Sequence, residues 1–87
     1  MDSDSLIIYP SDFPIKIMGP AQSQFVETIV GLVQRHAPDF NADTIECRES
    51  SAGNYQAVTC TIRATSRKQL DNLYRELSAH PMVKVVL

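Results

Sequence analysis

The chain predicts an α+β domain in which two amphipathic helices alternate with four short strands in the order βαββαβ. Three observations carry that prediction. Phe25, Ile29, Leu32, Val33 and His36 recur at three- and four-residue steps, as do Leu70, Leu73, Tyr74 and Leu77, which marks two helical stripes. Val58, Cys60 and Ile62 alternate strictly with Thr59, Thr61 and Arg63, the period of a strand with one buried face. Between the third strand and second helix, Ser66-Arg-Lys-Gln69 has capping-box spacing, so the helix start is marked independently of its stripe.

The elements follow in order. Residues 1–12 read as a flexible or surface-packed leader, acidic and serine-containing, with a short Leu6-Ile-Ile-Tyr9 run broken by Pro10. Residues 13–87 form the single domain. Its first strand, Phe13 to Met18, turns Phe13, Ile15 and Ile17 inward. Pro14, which has no amide donor, is expected at the start of that strand, and Gly19-Pro20 ends it. The first helix runs from Gln22 to His36; Val26 and Val30 widen its apolar stripe, and Pro38 stops it. Arg35 and His36 complement the dipole in its last turn, and His80 stands likewise at the end of the second helix, before Pro81.

Ala42 to Ser50 reads as the second strand with Ile45 and Cys47 inward, and Tyr55 to Ala64 as the third. A turn centred between Gly53 and Asn54 sets Cys47 opposite Cys60 and Ile45 opposite Ile62, all on the inward face, where free cysteines act as small hydrophobes. Met82 to Leu87 forms the last strand. Two right-handed βαβ crossovers interleave as a four-stranded antiparallel sheet of order 4-1-3-2 with both helices on one face, the ferredoxin-like sandwich.

Composition narrows the function. A chain of 87 residues, 44% hydrophobic and 21% charged, makes one soluble-type globular domain, able to bury roughly 60–70% of its unfolded surface. A net charge of −2 gives no long-range pull toward nucleic acid or anionic lipid, and no apolar run approaches membrane-spanning length. With no export signal at the acidic start, the reading is cytoplasmic. The two cysteines and two histidines form no metal-ligand spacing, so neither a metal nor another cofactor is expected. No nucleophile elbow or glycine-rich phosphate loop occurs, and Met18-Gly-Pro-Ala-Gln-Ser23 lacks the cysteine pair a metallochaperone of this topology needs. The expectation is a protein that is not an enzyme.

Two surfaces remain. The turn Met18-Gly19-Pro20, with Gln22, meets the N-terminus of the first helix, whose free donors suit a small carboxylate metabolite. The open face of the sheet carries Lys16, Arg48, Thr59, Thr61, Arg63 and Lys84, a mildly basic surface suited to a protein partner. It lacks the aromatic platforms of an RNA-binding sheet, which makes nucleic acid a remote alternative. Strand four, with Val83, Val85, Val86 and Leu87 beside a lone lysine, offers an apolar edge for a homodimer.

Phe13-Pro-Ile-Lys-Ile-Met-Gly19, Val33-Gln-Arg-His-Ala-Pro38, Ser50-Ser-Ala-Gly-Asn-Tyr55, Leu73-Tyr-Arg-Glu-Leu77 and Val85-Val-Leu87 together resemble the YbeD-like family of small bacterial proteins. The resemblance covers nearly all of the chain beyond the leader. It implies a ferredoxin-like fold similar to the ACT-type regulatory domain and brings no activity and no catalytic residue; a link to lipoate metabolism is one of gene neighbourhood. Ala52 stands where many relatives carry lysine, so no charge-dependent role is assigned to that loop. The leading expectation is a regulatory or interaction module, with ACT-like metabolite sensing at Met18 to Gln22. The alternative is an adaptor that binds protein through the open sheet face or the strand-four edge.

Overall fold

The computed structural model describes residues 8–87, so the Leu6-Ile7 part of the leader's apolar run lies outside the described residues. Of the rest of that run, Ile8 is exposed and Tyr9 packs half-buried on the core. The elements are β1 (Ser11–Pro20), α1 (Ser23–His36), β2 (Glu46–Glu49), β3 (Tyr55–Ala64), α2 (Arg67–Ala79) and β4 (Val85–Val86). The sheet is antiparallel in the order β2-β3-β1-β4, the expected topology.

β1 and β3 are its spine, paired from Ser11↔Ala64 to Pro20↔Tyr55. Ile15, Ile17, Val58, Cys60, Ile62 and Ala64 turn to one side and join Phe25, Ile29, Leu32 and Val33 of α1 and Leu70, Leu73 and Leu77 of α2 in a single buried cluster. Burying side chains of this size stabilises by about 1.5–3 kcal/mol each before chain entropy is counted. That cluster places both helices on one face and leaves the other to solvent.

β1 is longer than its sequence pattern, opening at Ser11 rather than Phe13. Pro14 lies inside it, not at its start. The backbone groups of Lys16 and Met18 face β4, since Lys16 exchanges bonds with Leu87 and the Met18 carbonyl accepts from the Lys84 amide. Pro14 shares their parity, and β4 does not extend that far. Its missing N–H therefore falls on open edge and costs no ladder bond.

The second strand requires correction. Asn41 starts a 3₁₀ turn over Ala42–Thr44, its Oδ1 accepting from the Asp43 amide at 2.9 Å, so only Glu46–Glu49 is strand. The register also moves. Cys47 pairs with Val58 and Glu46 with Thr59, because Ser50 and Tyr55 close a wider loop: the Ser50 amide donates to the Tyr55 carbonyl at 2.8 Å and Ser50 Oγ accepts from the Tyr55 amide at 3.2 Å. Gly53 supplies the left-handed residue of that loop at φ 76°. A shift of two keeps each side chain on its predicted face. Cys47 is nevertheless exposed and Ile45 only half-buried, since β2 is an edge strand that contributes no residue to the buried core.

The last strand is likewise shorter than predicted. After α2 the Met82 amide donates to His80 Nδ1 at 3.1 Å and the Val83 amide to the His80 carbonyl at 3.0 Å, which holds both residues in a turn. His80 thus caps that turn through its Nδ1 as well as its carbonyl.

Candidate functional site

Titratable groups that interact inside the domain do so in its packing. Cys60 is fully buried, and burial, with Cys47 nearby, pushes its thiol up to about 12. Glu76 on α2 receives His36 Nε2 at 2.5 Å on one carboxylate oxygen and Arg35 on the other, which clamps the end of α1 to α2. Gln69 completes that joint, donating to the His36 carbonyl at 2.8 Å and accepting from the Thr65 amide at 2.7 Å. The capping box is therefore present with its return bond one residue early: Ser66 Oγ accepts from the Gln69 amide, and the glutamine reaches Thr65 instead of Ser66. Among the described residues no three His, Cys, Asp or Glu side chains converge.

The Met18–Gln22 corner is filled from inside. Gly19 faces the core, and a Cβ there would collide with the Phe25 ring and the Met82 carbonyl. Gln56, opposite Gly19 on β3, is 9% exposed and donates Nε2 to the Pro20 carbonyl at 3.1 Å and the Gln22 carbonyl at 3.0 Å. It ties β3 to the turn entering α1. Sequence reasoning passed over Gln56, although the β3 alternation that turns Val58 and Cys60 inward turns it inward too. Gln22 occupies the N-cap position of α1 without a side-chain capping bond.

The open face has a different character. Across β4, β1, β3 and β2 one row reads Val85, Met18, Ala57, Arg48, and the next reads Leu87, Lys16, Thr59, Glu46. Small residues on β3 thus lie between long ones on β1 and β2, and the sheet is hollowed along β3. Two adjoining depressions result. One of about 290 Å³ is lined by Lys16, Glu46, Arg48, Ala57 and Thr59. The other, of about 160 Å³, continues past Met18 and Ala57 to Tyr55 and Ser50.

Lys16 and Arg48 line both depressions, and neither is paired with a carboxylate among the described residues. Arg63 faces Asp12 in the row beyond Pro14 and Thr61, two rows from Lys16 and Thr59 on the same face. Lys84 is exposed at the β4 edge but lines neither depression. Of the residues expected on this face, the trough gathers Lys16, Arg48 and Thr59 and leaves Thr61, Arg63 and Lys84 outside. Ala57 and Tyr55, its floor and its end, were not singled out by the sequence; the signal was their parity with Thr59.

Four antiparallel strands in this order beneath two helices define an ACT-like, ferredoxin-like α+β domain. The ACT domain from GTP pyrophosphokinase of Chlorobium tepidum, in its solution structure, matches 87% of this chain with 84% of its own at a TM-score of 0.64 and 22% identity, a likeness of fold alone. The solution structure of protein HP0495 from H. pylori matches the whole chain with 94% of its own at a TM-score of 0.72 and 14% identity. The chain belongs to the family described as "Protein of unknown function (DUF493)", whose model matches residues 4–87, and this is the YbeD-like family that its sequence resembles. A UPF0250 protein of Janthinobacterium sp. (strain Marseille) is 65% identical over 85 residues, 98% of this chain and 93% of the relative. One from Nitrosomonas europaea is 53% identical over the full length of both. No helix among the described residues is long and apolar enough to cross a membrane.

Proposed function

We propose that this domain is a non-enzymatic interaction module that offers the open face of its sheet to a partner protein. The observation that carries the reading is the trough along β3, where Lys16 and Arg48 flank Ala57 without a carboxylate partner among the described residues. Two unpaired cations beside a small-residue floor favour a complementary partner in contact and in approach. The shifted groups, Cys60, Tyr74 and Glu76, are occupied in packing, which supports a binding role over a chemical one.

Metabolite sensing at Met18, Gly19, Pro20 and Gln22 draws on the ACT-like fold, and it has less support from geometry. Phe25, Met82 and Gln56 occupy the inner side of that corner, so a carboxylate there would need to displace them. Dimerisation through β4 is also weakened, since that edge strand has only two residues, and very short edges discourage pairing.

Capture from lysate on the wild-type chain and on a Lys16→Glu/Arg48→Glu double variant tests the proposal. A partner held by the wild type and lost by the variant supports it; the same partner held equally by both refutes it. Titration with amino acids and organic acids that moves the amides of Gly19 to Gln24 would favour sensing instead.

A further inference from the structure

Resting on that reading of the open face, we infer that the trough takes an extended peptide segment of a partner protein in which an acidic residue stands near an apolar one. The two depressions differ in a way that sets this chemistry. Where both meet, Arg48 on β2 is the register partner of Ala57 and Lys16 on β1 is that of Thr59, so a carboxylate above the Ala57–Thr59 stretch of β3 lies between an ammonium and a guanidinium. Thr59, half-buried in the same trough, adds a hydroxyl donor. Charge-assisted bonds of this kind are the stronger class, and the planar guanidinium suits a carboxylate.

Beyond Ala57 the second depression is bounded by Met18 and by Tyr55, which is 51% exposed. A flexible thioether beside the buried Ala57, with an aromatic ring one row further along β3, makes an adaptable apolar seat. Both features lie along β3, so an extended chain running parallel to that strand meets them in succession at the strand's rise of roughly 3.3 Å per residue.

Glu46 stands across Thr59 from Lys16 and limits the field, so a ligand of dense negative charge gains less than one placing a single carboxylate at the cation pair. Glu49 also borders the second depression, but its register partner is the inward Gln56, which puts its side chain on the helix side. A nucleic acid fits worse. Its repeated phosphates would meet Glu46, and the central positions Ala57, Thr59 and Thr61 offer no ring for a base to stack upon.

The test uses the ¹⁵N-labelled full chain at low salt with two blocked pentapeptides, acetyl-Ser-Glu-Leu-Thr-Val-amide and its neutral counterpart acetyl-Ser-Gln-Leu-Thr-Val-amide. The acidic peptide should shift the amides of Lys16, Met18, Arg48, Ala57 and Thr59 and saturate. The neutral peptide should bind about tenfold more weakly or worse, as should the acidic one to a Lys16→Glu/Arg48→Glu variant whose spectrum shows it folded. A Tyr55→Ala variant should weaken the acidic peptide, and replacing its leucine by serine should do the same.

Equal binding of the two peptides at these residues overturns the acidic requirement while leaving the open face as an interaction surface. Equal affinity for free N-acetylaspartate overturns the peptide in favour of a small carboxylate. Tighter saturation by a uridine octanucleotide overturns it in favour of RNA. Silence toward every probe, with face-dependent capture from lysate intact, overturns this inference alone; loss of that capture removes the broader reading too.

Discussion

His36 and Glu76 join the two helices: the imidazole Nε2 lies 2.5 Å from one carboxylate oxygen, and the other oxygen takes the neighbouring Arg35. The hydrogen bond from His36 is the main reason the Glu76 carboxyl is held below its ordinary value, with Arg35 and the imidazole charge reinforcing it against partial desolvation. A carboxyl depressed in the folded state stabilises above its unfolded pKa, and that contribution disappears as pH falls through the folded value. Glu76→Gln should therefore melt below the wild type at pH 7, and the gap should begin to close as pH drops below the ordinary glutamate value of about 4.3 and vanish only below the lowered folded value. Thermal melts at several pH values check this; a gap that persists undiminished into acid would show that the clamp is not ionic.

Glycine substitution separates a packed corner from an open helix face. At Gly19 a new Cβ meets the Phe25 ring and the Met82 carbonyl, and the latter is backbone that cannot swing aside. Gly19→Ala should cost roughly 1–3 kcal/mol as overpacking. Gly31, exposed on α1 with open space around its hydrogen, should behave oppositely, and Gly31→Ala should stabilise by about 0.5–1 kcal/mol. Urea unfolding of both variants gives the comparison directly. A neutral Gly19→Ala would mean that the turn into α1 relaxes around the methyl group.

The residues that reported the topology most clearly are those whose periodicity spans a whole element, such as Phe25 to Val33 and Val58 to Ile62. Each was predicted inward and is buried. What escaped the sequence depends on contacts that hydrophobic periodicity does not encode. Whether Cys47 is covered depends on where two helices end over an edge strand, and whether the hairpin closes at Gly53-Asn54 or at Ser50/Tyr55 depends on a serine side-chain bond that local turn chemistry does not select. The trough was half legible. Alternation put Lys16, Arg48 and Thr59 on the open face, but a hollow exists only once small β3 residues are flanked by long ones from two other strands.

The two thiols should differ sharply. Cys47 is exposed on β2, and Cys60 is fully buried on β3 with its thiol pushed up to about 12. The thiolate is the reacting form, so Cys60 is protected both by access and by protonation. With an aromatic disulfide reagent at pH 8, one thiol equivalent should react promptly and the second only after denaturation. Prompt reaction of both in the folded chain would contradict the core position of Cys60.

Gln56 offers the sharpest test of how the corner at Gly19 is built. Its side-chain amide is a second donor to two carbonyls, those of Pro20 and Gln22, which also accept from the Gln22 and Phe25 backbone amides. Gln56→Leu keeps the side chain's approximate volume and removes both donors, leaving each carbonyl its backbone partner alone, a loss of about 0.5–1.5 kcal/mol for each bond. Gln56→Glu should be worse at neutral pH, because a carboxylate would face two carbonyl oxygens without a proton to share, and it should recover as acid restores a donor. Denaturation midpoints at pH 7 and pH 4.5 distinguish these outcomes. If the glutamate variant matched the wild type at pH 7, the amide would not be holding the turn, and only Phe25 and Met82 would fill the inner side of the corner.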